Sequence, residues 1–149
     1  MGPARPWIVF GAVAALMAVA MGAFAAHGLE ARGDARAVAL VDKAARYQMV
    51  HAIGLILCGL LARARADVSG GWVRAAGVAF ALGIVLFCGT LYTLALTAWP
   101  VALAAPFGGT AFMAGWGLLA IAALRGGSRS VDGQAPPSRA EAAVDGSKR

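Results

Sequence analysis

Set among long apolar runs, the sequence carries a few side chains able to move a proton, hold an ion or hydrogen-bond a head group. They are His27, Tyr47, Gln48, His51, Thr90, Tyr92 and Thr93. Tyr47 and His51 stand four residues apart, so on a helix they share a face. Thr90, Thr93 and Thr97 repeat at i, i+3 and i+7, again one helical face. A histidine pair with a tyrosine could hold a metal, supply an axial site for haem, or hydrogen-bond a quinone head group. The competing role is packing, in which polar side chains inside a membrane simply tie helices together. A metal site usually takes three or four ligands, and no acid or thiolate accompanies these residues at their depth. No nucleophile, base and acid stand together either, so no catalytic residue and no metal ligand is assigned. No motif demands a cofactor.

What positions these residues is set by composition. The chain has 149 residues, 60% of them hydrophobic and 13% charged, against roughly 25% charged in a soluble domain. With mean hydropathy at +0.74, a soluble core cannot absorb so much apolar surface, and membrane spans of about 20 residues can. The net charge of +6 is carried by side chains that flank the apolar runs. There is no basic helix and no aromatic-basic interleaving, which argues against nucleic acid as a partner. Cys58 and Cys88 lie inside apolar runs without a CxxC or zinc-like spacing, and read as free buried thiols at similar depth.

Four spans account for the pattern, at about residues 7–27, 46–63, 73–97 and 103–124. The first raises a question at "MGAFAAHGLE", where Ala23-Phe24-Ala25 has the small-x-small pattern of a signal-peptidase site. Its apolar run of 20 residues exceeds the roughly 7–15 of a signal peptide, so a retained helix is expected. The polar stretch "GDARAVALVDKAARYQ" predicts an amphipathic helix in the first connection, with Asp34 as N-cap and an Asp42–Arg46 pair, running into the second span. The turn between spans three and four falls within "TAWPVALAAPFGG", where Pro100, Pro106, Gly108 and Gly109 interrupt the pattern. The fold class is therefore all-α, an integral membrane four-helix up-down bundle in residues 1–124. Residues 125–149, rich in Gly, Ser, Pro and mixed charge, read as a disordered cytoplasmic tail.

Lysines and arginines divide nine against four between the two sides, placing both termini in the cytoplasm. In this arrangement the uncharged polar side chains gather in the outer half, and His27 can approach His51. Small residues recur every four positions, as in Ala14, Ala18, Gly22 and Ala26, and Ala75, Ala79 and Gly83, with Ala111 and Gly115 on the fourth span. Such spacing lets helices approach closely, and one such face is left over for an oligomer or a larger membrane complex.

Four stretches also carry a resemblance: "GAFAAHGLE", "ARYQMVHAIGLIL", "LFCGTLYTLAL" and "PFGGTAFMAGWGLLAIAAL". In that order they resemble domain-of-unknown-function family 423, the YgdD- and YwdK-like small bacterial membrane proteins, with relatives in the transmembrane-protein-256 group. The resemblance covers about residues 10–124. It implies four spans with the first retained, and places motif positions on Gly22, His27, Gly28, Tyr47, Gln48, His51, Gly89, Tyr92, Pro106, Gly108, Gly109, Gly115 and Trp116. Ala25 stands where the motif commonly has a second glycine. The resemblance supplies no activity. The expected function is thus a small multi-pass membrane protein, structural or accessory to a complex. The alternative is a ligand, quinone, haem or metal bound in an outer-leaflet pocket of His27, Tyr47, Gln48, His51, Thr90, Tyr92 and Thr93. A small multidrug-type transporter ranks below both, because all seven acids lie outside the spans.

Overall fold

Twenty residues from Arg5 carry no charge after the first, and they form helix α1 (Arg5–Phe24). In the computed structural model, which describes residues 5–64, 70–97 and 99–126, α1 widens into a π-turn at Ala25–Leu29. It then tightens into a 3-10 turn at Glu30–Arg32. Gly33 ends the turn with φ at +70°, a conformation glycine adopts without steric cost. Asp34 then starts the next helix, its Oδ1 accepting the Ala37 N–H at 2.9 Å, which satisfies one donor of the first turn.

Helix α2 (Ala35–Ala64) is thirty residues without a break, about 45 Å at helical rise. The helix expected in the connection is thus the first third of α2 itself. It lies back along the end of the first span, where Ala25 and Leu29 of the π-turn bury with Ala37 and Val41. The expected Asp42–Arg46 pair is formed at 2.8 Å on an exposed face, where such a pair contributes little.

The third span has three parts: α3 (Gly70–Gly83), a π-turn at Ile84–Cys88, and α4 (Gly89–Leu96). Thr97 leaves the helix in extended conformation, and α5 (Ala104–Gly126) follows. The turn is therefore confined to residues 97–103. Pro106, Gly108 and Gly109, read from sequence as candidate breakers, lie inside α5. Pro106 occupies its first turn, where no intrahelical N–H is required. The tail beyond Gly126 lies outside the described residues.

All four helical spans are long and apolar enough to cross a membrane. α1 packs on α2, α2 on α3 and α4, and α5 on α3 and the second π-turn. Among the described residues α1 and α5 share no packed seam, so the bundle has α2 and the third span at its centre. Aromatic rings seated on glycines hold that centre together. Phe80, with no exposed surface, lies where β-carbons on Gly54 and Gly115 would stand 3.0 and 2.5 Å from its ring. Phe112 fills the same space over Gly83 and Trp7 over Gly77. Each missing side chain lets one flat ring touch a neighbouring backbone. In lipid, where apolar surface gains nothing by leaving water, this close packing is what associates helices.

Candidate functional site

His51 is the centre of the most chemically distinctive part of the molecule. It lies on α2 five residues beyond Arg46 and is 5% exposed. Its Nδ1 is 2.6 Å from the Tyr47 carbonyl oxygen. A carbonyl only accepts, so Nδ1 carries the proton, and in the neutral ring Nε2 carries the lone pair. The ring lies flat on Phe112, centroids 3.5 Å apart and planes 11° from parallel. Tyr47, Phe80 and Trp116 surround it at 6.1, 5.7 and 6.1 Å. Among the described residues Nε2 has no hydrogen-bond partner. Yet the Tyr92 hydroxyl is the only fully buried side-chain polar atom lacking one among the described residues. The Nε2 edge therefore remains accessible.

It opens on a groove of about 370 Å³ between α2 and α5. Tyr47, His51, Phe87, Pro106, Gly109, Thr110, Phe112, Met113 and Trp116 line it, with no charged side chain. Tyr47 closes one wall against Phe87 at 4.9 Å, and Trp116 meets Phe80 edge-on at 4.9 Å. Tyr47, Met113 and Trp116 are exposed at the rim. The groove thus opens sideways from the helices, toward lipid in a membrane, rather than through a loop.

The other expected site residues lie elsewhere. His27 is exposed on the first π-turn and does not line the groove. Ala25 of that turn buries with Val41, and His51 is ten residues further along α2, about 15 Å. The sequence reading that lets His27 approach His51 is corrected by this register. Gln48 is 5% exposed but turns the other way, its Nε2 donating to the Ala14 carbonyl of α1 at 2.8 Å. Thr90 bonds back to the Leu86 carbonyl, and Thr93 and Thr97 to Gly89 and Thr93 at 2.8 Å. Their hydroxyl protons are thereby committed within their own helix. Tyr92 packs between the two buried clusters, away from the groove. No group of three or more His, Cys, Asp or Glu side chains is placed to hold a metal among the described residues.

Residues 21–109 match a family described as "Protein of unknown function (DUF423)". The chain belongs to the DUF423 family. It is 42% identical over 122 residues to a UPF0382 membrane protein of Staphylococcus epidermidis, covering 81% of this chain and 97% of that one. It is 38% identical to the UPF0382 membrane protein YwdK of Bacillus subtilis over 81% and 98% of the two chains. To the UPF0382 inner membrane protein YgdD of Escherichia coli it is 34% identical over 81% and 91%. No solved structure matches. The family resemblance seen in the sequence is thereby established, and with it a multi-pass helical membrane protein. In this DUF423 chain, sequence reasoning missed Phe80 and Phe112 as neighbours of His51 and Phe87 as part of the groove wall. Phe112 and Trp116 are four residues apart, as are Tyr47 and His51. That spacing is the signal for two aromatic faces, but their mutual register runs through Phe80 of α3, whose ring lies on Gly54 of α2 and Gly115 of α5.

Proposed function

We propose that this protein binds a flat, membrane-soluble small molecule in the groove between α2 and α5, without catalysing its conversion. The observation that carries the reading is His51. One nitrogen is fixed by the Tyr47 carbonyl and the other is left accessible, in an aromatic groove that otherwise offers little polar surface. Ligand sites are concave, mostly apolar and supplied with a few placed polar groups. The test is native mass spectrometry of the full chain released from mild detergent. A co-purifying small molecule lost in both His51→Ala and Trp116→Ala supports the reading. An unchanged adduct in both variants sinks it.

A second reading, a structural or accessory role in a membrane complex, is favoured by α1. That helix buries only Gly11, Ala14 and Ala18, leaving most of its surface for lipid or for another helix. A stable partner or self-assembly that survives purification, and is lost when α1's outer face is made bulkier, supports it. For orientation, both termini are assigned to the cytoplasm. Arg125 lies 5.3 Å over the Trp72 ring, joining two residues of the arginine-rich end at one interface. A reporter fused after Arg125 that is active as a periplasmic marker overturns this orientation.

A further inference from the structure

The neutral imidazole of His51 can only accept at Nε2, and that restricts what fits the groove. We infer that the occupant is a ring compound carrying a hydroxyl, of the phenol or hydroquinone class, whose O–H is donated to His51 Nε2. The inference rests on the groove being a ligand site, as proposed above, and adds the chemical class.

Three observations lead there. The Nδ1 proton is held by the Tyr47 carbonyl at 2.6 Å, so the tautomer that would present an N–H to a ligand is not the one present. Among the described residues no acid lines the groove, so an imidazolium would lack a counter-charge at membrane depth, which favours the neutral ring. A ligand offering only carbonyl or ether oxygens, such as an oxidised quinone, would therefore face lone pair with lone pair. The walls select for a ring: Phe112 lies parallel to His51, and Phe87 and Trp116 flank it, a setting for offset or edge contacts with a third aromatic group. Size agrees, since a cavity of about 150 Å³ holds benzene. A groove of about 370 Å³ has space for one substituted ring. The exposed rim at Trp116 and Met113 leaves a path by which an alkyl tail can remain in lipid.

The test separates the hydroxyl from the ring. The full chain in zwitterionic phospholipid nanodiscs is titrated with 4-nonylphenol and with its methyl ether, 4-nonylanisole. Bound probe is counted by native mass spectrometry against its mole fraction in the lipid. One hydrogen bond in a dry site corresponds to about a tenfold preference for the phenol. That preference is expected to vanish in His51→Phe, which keeps a ring against Phe112, and continued binding of the anisole shows that this variant is folded. Equal binding of both probes to the natural protein, lost in Trp116→Ala, overturns the hydroxyl inference and leaves the groove as a ring site. A phenol preference that persists in His51→Phe also overturns the inference. Binding of neither probe above empty nanodiscs removes the groove reading and this inference together.

Discussion

At the scale of single residues, polar groups at membrane depth have three fates here: bonded to a neighbouring helix, bonded within their own, or unbonded. Gln48 is the first case. Its amide donates to the Ala14 carbonyl, the one side-chain hydrogen bond between α1 and α2 among the described residues. Gln48→Leu keeps the volume and removes the bond. The expected loss is about 0.6–1.7 kcal/mol, the range of interhelical hydrogen bonds in a bilayer, read from the SDS-unfolding midpoint. Tyr92 is the third case. Its hydroxyl is buried without a partner among the described residues, which costs about 1–3 kcal/mol relative to a side chain that lacks the hydroxyl. Tyr92→Phe is therefore expected to raise the same midpoint. A fall would mean that the hydroxyl has a bonding partner in the membrane. Sequence alone identified Gln48, His51 and Tyr92 as unusual, since a polar residue in an apolar run stands out. It did not distinguish their fates, because these depend on which way each side chain turns around α2 and α4. His27 was grouped with them on depth, and rotation and register together place it outside.

At the scale of helical elements, glycine spacing was legible and glycine purpose was not. Gly22, Gly28, Gly83, Gly89, Pro106, Gly108, Gly109 and Gly115 all suggested packing positions from sequence. A β-carbon on Gly83 would stand 2.3 Å from the Phe112 ring, one on Gly108 2.3 Å from the Phe87 backbone nitrogen, and one on Gly115 2.5 Å from Phe80. On Gly28 it would meet only its own helix's Phe24, and on Gly109 it would make one ordinary contact. Gly22 and Gly89 face open space within this chain and admit no close approach by its other helices. The close-approach glycines that sequence passed over are Gly11, Gly54 and Gly77. Their partners are a backbone oxygen of Ala52 and the rings of Phe80 and Trp7. A four-residue repeat names a face, but whether a ring arrives at it depends on the sequence of another helix. The contrast is directly measurable. Gly83→Ala is expected to lower stability by about 1–3 kcal/mol, as overpacking does. Gly22→Ala and Gly89→Ala, both in helical conformation, are expected to be neutral or to stabilise by about 0.5–1 kcal/mol. Unfolding of the three variants side by side decides it. Equal losses at all three would mean that the seams run elsewhere.

At the scale of the whole molecule, the number and order of spans followed from composition, because charge-free runs of this length have few other solutions. Helix register did not, and the two cysteines show why. From sequence, Tyr47 marks the outer start of span two, which brings Cys58 and Cys88 to similar depth. In the structure α2 starts at Ala35, and its alignment with α3 is set by Phe80 lying on Gly54. Cys58 is four residues from Gly54 toward the arginine-rich end. Cys88 is eight residues from Phe80 toward the opposite end, because α2 and the third span are antiparallel. The two levels differ by about 18 Å at helical rise, whereas a disulfide needs α-carbons within about 7 Å. Both thiols are buried and free. An oxidant or a short bis-maleimide is therefore expected to give no Cys58–Cys88 link in the detergent-solubilised protein. A positive control removes both natural cysteines and introduces Phe87→Cys with Gly108→Cys, positions whose backbones are in direct contact, and that pair is expected to link. A Cys58–Cys88 product would shift α2 against the third span by about three turns. His51 would then no longer meet Phe112, and the groove that the proposed ligand requires would not exist.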